Sequence, residues 1–538
     1  MMELVILHSN DTHGHLKPLP SPTPTMPQRT LGGYARRATF IAQQRAMHPN
    51  VLLLDAGDFY QGSRYWHAFD GEPDIELMNA LQYDVASLGN HDFDGGFELL
   101  GARLQQANFP ILCANMRVQA DHPLSGCWQS SIIKELADEN GDVLRVGIFG
   151  LLIDLPQLYP PGFTDHVTCL PIVETAQEMV RSLRLQCDVI IFLSHLGGED
   201  DVEMAQAVDG IDLIIGGHSH TELEEILWVN HTPIVRSIAG TQKMGRVQLS
   251  VTVGECPTIT SYQLFPLDDR YADDPNTSSL LATWDAKLPP ERVLGQLITP
   301  LDTRTESKAA GESAAGNFYV DALLTYGQWA AKAQPTHYPN PTIAIAHMGT
   351  IRGDRVYAAG DFTNHDLGEY HPFPNPPLIR ELTAPQLKKL LEQGASKLPQ
   401  AHSIFLSFAA LTAVIDISRQ PQIIDIYNER IVQAGERVVS AAYQGQPIDF
   451  SDEQQTFIVI LDGFMGKGVA TYFFLKESPL LVKFDTLGSE VVTWYLTHHS
   501  PIRAAVEGRI QLVRYVTKFT ASRNIAAAVG NGSRSHIL

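Results

Sequence analysis

Seven short apolar runs in the first half of the chain restrict the possible folds more than any other feature. Runs of four to eight apolar residues are typical of strands buried on both faces. The runs are LVIL (4–7), VLLL (51–54), VASL (85–88), ILCA (111–114), RVGIFGLL (145–152), VIIFLS (189–194) and IDLIIGG (211–217). Helix-like segments such as residues 32–46 lie between them. The pattern therefore predicts an α/β architecture with buried sheets.

The chain of 538 residues is too long for a single compact domain. The composition changes at residues 265–279, which are rich in Asp, Pro and Ser and read as a boundary. We predict four segments: a first domain at 1–265, a linker with a connecting helix at 266–290, a smaller α+β domain at 291–516 and a mobile tail at 517–538.

The charge and the cysteine content limit the classes of binding partner and the cellular compartment that fit this chain. Asp and Glu number 60 against 39 Lys and Arg, a formal charge of −21, which argues against a nucleic-acid polymer or an anionic membrane as partner. A small anionic substrate stays compatible with this charge, because a bound divalent cation reverses the local field. The chain as given has five cysteines without a C-x-x-C pair, no secretion signal and no apolar run long enough to span a membrane. These features predict a cytoplasmic protein. The sequence leaves the oligomeric state open.

Five polar clusters follow the predicted strands. They are NDTHGH (10–15), DAGDFYQGS (55–63), GNHDFDGG (89–96), SHLGGEDD (194–201) and GGHSHTE (216–222). Each contains Asp, Asn or His, the side chains that divalent metals bind, and two adjacent metals need one shared ligand, usually a carboxylate. One such cluster is commonly only a capped loop, but five in series predict a metal site at the carboxyl ends of the strands. We interpret Glu199, Asp200 and Asp201 as a solvated acidic run rather than extra ligands.

The order of these motifs resembles that of a known superfamily. D-x-H, G-D, G-N-H-D, a later His and G-H-x-H form the series of the calcineurin-like metallophosphoesterases. The longer stretches ILHSNDTHGHL, LLLDAGDFYQGS and SLGNHDFDGG closely resemble the 5′-nucleotidase family, which includes UDP-sugar hydrolases and 2′,3′-cyclic nucleotide phosphodiesterases. The resemblance covers most of residues 3–515. It implies an N-terminal αββα sandwich, a smaller α+β C-terminal domain that binds the substrate, and two divalent ions, with Mn, Zn, Fe and Co all compatible with the ligands.

The resemblance also assigns roles to single residues. The metal ligands it implies are Asp11, His13, Asp58, Asn90, His195, His218 and His220, with Asp58 bridging both ions. His91 matches the catalytic histidine, which is not a ligand, and Asp94 matches the carboxylate that orients it. Asp92 is interpreted as part of the loop structure or as a support for the ligands.

The second half of the chain matches the family less closely. The segments 312–322, 371–375 and 461–472 resemble its C-terminal motifs. The resemblance implies a substrate site formed by Asn90, Arg352, Phe373 and Phe464, although core packing is an equal alternative for the two rings. His347 stands where the family has Asn in N-G-G-G-I-R, and Ala470 stands where it has the ribose-binding Asp of G-G-D-G-Y. GFMGKG (463–468) lacks the spacing and the Ser or Thr of a P-loop.

These observations predict a two-metal phosphoester hydrolase that acts on nucleotides in the manner of a 5′-nucleotidase and serves nucleotide catabolism. Two alternatives stay open. The first is a relative whose substrate is a phosphodiester, a sugar nucleotide or a thiosulfate-type ester. The second is a binding module that has kept the fold and lost catalysis. Metal-dependent hydrolysis of an aryl phosphate separates an enzyme from a binding module.

Overall fold

The computed structural model describes residues 2–20, 30–137, 141–154, 158–159, 163–426 and 428–514. The tail predicted at 517–538 lies outside the described residues. Each of the seven apolar runs contains a strand, which confirms the prediction of buried sheets.

Two six-stranded sheets form the N-terminal part. The first contains, in spatial order, Thr258–Pro266, Lys243–Val251, Met2–Ser9, Val51–Asp55, Val85–Ser87 and Ile111–Leu112. The second contains Leu227–Val229, Thr232–Val235, Leu213–Gly216, Val189–His195, Val143–Leu152 and Ser131–Ala137. The four strands from Met2–Ser9 to Ile111–Leu112 are parallel, and so are the four from Thr232–Val235 to Val143–Leu152. Parallel strands within a sheet place their carboxyl ends at the same edge.

The two sheets pack face to face, with helices on the outside. Apolar side chains fill the space between the sheets, among them Leu4, Ile6, Leu52, Leu54, Ile148, Ile191, Leu193 and Leu213, all 1 % exposed or less. Helices Tyr34–Met47 and Glu72–Ala80 cover the first sheet, and helices Ile172–Arg184 and Gly198–Ala207 cover the second. This four-layer arrangement is the predicted αββα sandwich, in which each strand is buried on both faces.

The remaining helices of the N-terminal part are Arg64–Phe69, Phe97–Leu104 and Phe163–His166, with a 3₁₀ turn at Asn90–Phe93. Short two-stranded pairs join Leu19–Pro20 to Thr30–Leu31 and Met116–Val118 to Val167–Cys169.

The connecting helix spans Pro275–Asp285, within the linker predicted at 266–290. Asp274 caps it by accepting a hydrogen bond from the Thr277 amide at 2.8 Å. Leu281 and Trp284 are buried in the core beneath the first sheet. The helix therefore packs on the N-terminal domain.

The C-terminal part is built on a five-stranded sheet with the spatial order Leu406–Ala409, Ile343–His347, Thr456–Leu461, Leu378–Thr383 and Leu480–Lys483. A four-stranded sheet contains Gln446–Pro447, Val438–Tyr443, Leu411–Asp416 and Ile510–Val513. Smaller pairs join Val293–Leu297 to Gly360–Thr363, Leu301–Asp302 to Val356–Tyr357 and Ile423–Asp425 to Arg430–Gln433. The helices are Thr305–Lys308, Ala314–Ala333, Asn364–Tyr370, Ala384–Ala395 and Gly488–His499, with 3₁₀ turns at Met348–Thr350, Met465–Lys467 and Ala470–Glu477. The mixture of helices and largely antiparallel sheet is the predicted α+β class.

Three loops of the C-terminal part lie at one edge of the five-stranded sheet. Strands Ile343–His347 and Thr456–Leu461 run parallel, so residues 347–352 and 462–467 leave the sheet at the same edge. Leu378 pairs with Leu461, so residues 371–377 enter the sheet there as well.

None of the helices among the described residues is both long and apolar enough to cross a bilayer.

Candidate active site

The five polar clusters converge at the carboxyl edges of the two sheets of the N-terminal part. The strands that precede the clusters end at Ser9, Asp55, Ser87, His195 and Gly216. Each cluster begins at or near one of these residues. Side chains 207 positions apart in sequence, such as His13 and His220, therefore come into contact.

The first ligand group consists of Asp11, His13, Asp58 and His220, each offering one atom within 4.8 Å of the others. His13 Nε2 lies 4.0 Å from Asp11 Oδ1, 3.8 Å from Asp58 Oδ2 and 2.9 Å from His220 Nε2. Burial lowers the pKa of His13 to about 3, so the imidazole is neutral near pH 7 and presents a lone pair.

The second ligand group consists of Asp58, His195 and His218. His195 Nδ1 lies 2.6 Å from the Ala56 carbonyl oxygen and donates to it, which leaves Nε2 as the lone-pair atom, 3.1 Å from Asp58 Oδ2. Asn90 Oδ1 lies 2.8 Å from His218 Nδ1, so the amide predicted as a ligand lies beside this group. Asp58 belongs to both groups, as a shared carboxylate must.

Five of these residues hold a left-handed backbone conformation, which is uncommon outside glycine. Their φ angles are 49° for Asp11, 47° for His13, 57° for Asp58, 69° for His218 and 56° for His220. Such residues cost about 1 kcal/mol or more each and cluster where a site requires them. The strain indicates that these loops are shaped for ligand geometry rather than for stability.

Two buried atoms at the centre of the site fit a metal. Asp58 Oδ2 and His195 Nε2 are both inaccessible to solvent and make no hydrogen bond to any of the described residues, although they lie 3.1 Å apart. Buried polar atoms without partners are rare and costly. A carboxylate oxygen and an imidazole lone pair that converge in this way form a donor set suited to a divalent transition metal.

The predicted catalytic pair lies at the rim of the ligand groups. His91 Nδ1 lies 2.9 Å from Asp94 Oδ2, and the His91 amide donates to Asp58 Oδ1 at 2.8 Å. Burial by itself lowers the pKa of His91, but the carboxylates of Asp94 and Asp58 outweigh it and raise the pKa. The His91 ring is held by both neighbours while its Nε2 faces the cleft.

Asp92 connects two of the loops. Its carboxylate accepts hydrogen bonds from the amides of Gly89 at 2.7 Å, Tyr60 at 3.2 Å and Asp58 at 3.3 Å. Residue 89 must be glycine for the two loops to approach this closely, because a Cβ at this position would lie 2.1 Å from Asp58 Oδ1. Asp92 therefore supports the loops, in agreement with its interpretation from the sequence.

Arg352 reaches the site from the C-terminal part. Its Nη2 lies 3.3 Å from His91 Nε2, across 261 positions of sequence. Phe373 packs beside both residues, with its ring centroid 6.0 Å from the His91 ring and 5.3 Å from Arg352 Cζ. The half-buried Phe373 thus faces the cleft and belongs to none of the hydrophobic cores among the described residues.

Phe464 lies deeper in the C-terminal part. Its ring centroid is 5.4 Å from that of His347, and the half-buried ring packs against the C-terminal core. His347 donates its amide to the buried Asp462 at 3.1 Å. Ala470 is buried and left-handed, with φ 50°. Phe464 therefore packs against the core and contacts His347, while its role in binding a base stays a prediction.

Comparison with known proteins agrees with this geometry. Family models match at residues 4–222 (calcineurin-like phosphoesterase) and 293–477 (5′-nucleotidase, C-terminal domain). The 5′-nucleotidase of Bos taurus is 30 % identical over 541 residues, covering 95 % of this chain and 91 % of that protein. The chain belongs to the 5′-nucleotidase family. It is accordingly a hydrolase of the metallophosphoesterase superfamily.

Solved structures show the same architecture for this 5′-nucleotidase family member. The 5′-nucleotidase precursor of Thermus thermophilus superposes with a TM-score of 0.81 and 26 % identity, covering 96 % of this chain and all of that one. The sulfate thiohydrolase SoxB of Thermus thermophilus shares the fold, with a TM-score of 0.72, 18 % identity and coverage of 95 % and 96 %.

The prediction of a solvated acidic run is wrong at Asp201 of this family member. Asp201 is fully buried, not solvated, and forms an ion pair with Arg236 at 2.8 Å. It also accepts a hydrogen bond from Ser194, the residue before His195. Arg236 extends in turn to Thr221 Oγ1, 3.2 Å away, beside His220. The pair therefore joins the two histidine loops, and its only signal in the sequence was an arginine directly after a buried strand.

Asn10 has a supporting role that the sequence pattern does not predict. Its side-chain amide donates to Asp11 Oδ2 at 2.7 Å and to the Ser237 carbonyl oxygen at 3.0 Å, while its oxygen accepts from the Ser237 amide at 3.0 Å. These bonds fix the orientation of the Asp11 carboxylate. The partner backbone lies 227 positions away, so no local pattern reveals the role.

Replacing Arg236 with Met is expected to lower the free energy of unfolding by about 3–5 kcal/mol, because the Asp201 carboxylate would be left buried without its partner. The shift of the urea unfolding transition, measured in chelator, tests this. The matched control is Arg145→Met, which removes an exposed pair with Glu135 and should cost at most about 1 kcal/mol. Equal shifts for the two variants would contradict the role given to Arg236.

Proposed function

We propose that this protein hydrolyses nucleotide phosphate monoesters at a pair of divalent metals, with the C-terminal domain holding the leaving group. The observation that carries this proposal is the 3.3 Å contact between Arg352 of the C-terminal domain and His91 at the rim of the ligand groups. A guanidinium is suited to phosphoryl oxygens. The contact supports a phosphate-binding role for Arg352 beside the predicted metal ligands.

The side chains divide between two ions. Asp11, His13, Asp58 and His220 would hold one, and Asp58, Asn90, His195 and His218 would hold the other, in keeping with the two groups of converging ligand atoms. When bound, such a pair supplies Lewis acidity that activates water near neutral pH and neutralises phosphoryl oxygens. The identity of the metal stays a prediction among Mn, Zn, Fe and Co.

The protein side chains complete the proposed chemistry. His91 has its Nδ1 bonded to Asp94 and its Nε2 facing Arg352, so it can stabilise the transition state or pass a proton to the leaving oxygen. Arg352 neutralises charge on the phosphoryl group and orients it. Phe373 offers a ring face beside both, against which a base can stack.

A substrate screen of the purified protein tests the function. Hydrolysis of AMP and of p-nitrophenyl phosphate should fall to background in excess chelator and return when manganese is restored. The value of kcat/KM should be about tenfold or more higher for AMP than for the aryl phosphate, since stacking on Phe373 adds about 1–3 kcal/mol for a base.

Other results of the substrate screen would favour one of the alternative functions. Absence of hydrolysis with Mn, Zn, Fe and Co would favour the binding-module alternative. Faster cleavage of bis(p-nitrophenyl) phosphate than of the monoester would favour a phosphodiesterase. A Phe373→Leu variant keeps the apolar volume and removes the aromatic face, so it should reduce the preference for AMP over the aryl phosphate.

The partner is proposed to be a small phosphorylated substrate rather than a polymer or a membrane. The cytoplasmic location also stays a prediction, which the five unpaired cysteines favour. The predicted domain division is supported by two separate hydrophobic cores, one under the first sheet and one around helix Ala314–Ala333.

A further inference from the structure

Lys467 lies at the end of the turn that carries Phe464. Its ammonium donates a hydrogen bond to Asn375 Oδ1 at 3.0 Å, and Asn375 belongs to the same loop as Phe373. Gly463 packs so closely on this loop that a Cβ there would lie 2.7 Å from Asn375 Cβ. The turn and the loop therefore form one continuous wall of the cleft, with Lys467 in it.

This wall leads directly to the catalytic pair. Phe373, two residues before Asn375, lies 6.0 Å from the His91 ring. Burial and the neighbouring Lys483 lower the pKa of Lys467, while the carboxylates of Asp462 and Asp94 act to raise it. Lys467 therefore lies within electrostatic range of Asp94, the carboxylate bonded to His91.

Lys467 has no anionic partner in the part of the chain that the structure describes. None of the described carboxylates lies within 4.0 Å of its ammonium, and its one hydrogen bond is to the neutral Asn375. An ammonium carries three donors, so Lys467 can donate to two further acceptors. Asp462, the nearby acid on the same turn, already accepts hydrogen bonds from the amides of His347, Phe464 and Met465. Lys467 is a half-buried cation in a chain with a formal charge of −21.

Arg352 and Lys467 occupy different parts of the cleft. Arg352 lies 3.3 Å from His91 Nε2, where the transferred phosphoryl group would be. Lys467 instead donates to Asn375, two residues after Phe373 in the same loop. Two cations that contact the same loop, one at Phe373 and the other at Asn375, match a molecule that carries an anion at each end.

We infer that Lys467 binds a second anionic group, a phosphate or a carboxylate, on the leaving group of the ester that is hydrolysed. This inference rests on the proposed function. Hydrolysis of such an ester transfers the phosphoryl group held at Arg352 to water, and the released alcohol retains the second anion at Lys467. The preferred substrate is accordingly a bisphosphate or a carboxylated phosphate ester rather than a simple monophosphate.

Two matched substrate pairs test the inference with manganese added. Adenosine 3′,5′-bisphosphate is compared with AMP, and 4-carboxyphenyl phosphate is compared with 4-carbamoylphenyl phosphate. Within each pair only the second anion differs. We expect a higher kcat/KM for the anionic member, and the pair with the larger ratio distinguishes phosphate from carboxylate as the recognised group.

Variants connect the preference to Lys467. Lys467→Met should reduce the ratio within the preferred pair by about 10- to 100-fold, the value of a hydrogen bond between charged groups. The matched control is Lys389→Met, which removes an exposed ammonium 4.0 Å from Glu477 and should leave the ratio unchanged. Isothermal titration in chelator, comparing the bisphosphate with AMP, provides the same comparison without turnover.

The outcomes separate the inference from the proposed function. Ratios near one in both pairs, or equal ratios for Lys467→Met and the unmodified protein, would overturn the role of Lys467 even if AMP is hydrolysed. If no ester is hydrolysed, the proposed function fails, and the titration still decides whether Lys467 favours the bisphosphate. Tighter binding of the bisphosphate that is lost in Lys467→Met supports the inference in either case.

Discussion

Asp58→Asn is expected to remove both metal ions and at least ~10³-fold of the hydrolytic rate. Asp58 is fully buried and is the one carboxylate common to both ligand groups. The change to an amide preserves size but removes the negative charge that the ions share. Metal content per chain, measured by mass spectrometry after dialysis against manganese, should fall from two to below one.

A matched control shows whether the loss is specific to the shared ligand. Asp200→Asn removes the same charge from helix Gly198–Ala207 outside the ligand groups and should retain two ions. Circular dichroism of both variants checks that the fold is preserved. Two tightly bound ions in Asp58→Asn would contradict the bridging role and the division of ligands between two sites.

His91→Gln is expected to lower kcat by about 10²–10⁴-fold, the usual contribution of a positioned acid–base group. The side chain of His91 makes none of the ligand contacts; its Nδ1 is bonded to Asp94 and its Nε2 faces Arg352. The variant should therefore retain both metals. Metal analysis and steady-state kinetics on the same preparation test the two parts of this expectation.

The leaving group distinguishes the two roles proposed for His91. If His91 passes a proton to the leaving oxygen, the loss should be larger for AMP, whose alkoxide is a strong base, than for p-nitrophenyl phosphate. If His91 only stabilises the transition state, the two losses should be equal. A His91→Gln variant with unchanged kcat would exclude both roles.

Asp94→Asn should lower kcat by about 10- to 100-fold, because the His91 ring loses the partner that orients it.

The convergence of the predicted metal ligands could be inferred because the sequence signal is local. Each ligand directly follows a short apolar run, and a parallel sheet puts the ends of such runs at one edge whatever the loops between them. Asp11, Asp58 and His195 could therefore be placed together without knowing the distances that separate them. The α/β class followed from the same runs, since strands apolar on both faces must be covered on both sides. The αββα sandwich was implied by the resemblance to the metallophosphoesterases.

The supporting contacts were not predictable, because their partners are remote and their residue types are ambiguous. Asp201 follows two other acids in the sequence and was assigned to the surface, yet it is buried against Arg236. Asn10 supports Asp11 through backbone 227 positions away. A charged residue is buried only if a partner meets it, and that meeting is decided by packing rather than by its neighbours in sequence.

The sequence by itself determined the buried sheets and the family, since these depend on strand patterns and on motifs of a few residues. Through the family resemblance it also predicted the two-sheet sandwich and the set of ligands. Only the tertiary structure decided what surrounds them. It placed Arg352 on His91, turned Phe373 toward the cleft and left Lys467 beside Asn375 without an anion. These contacts join two domains or two distant loops, and their geometry depends on how whole layers pack, which no short stretch of sequence specifies.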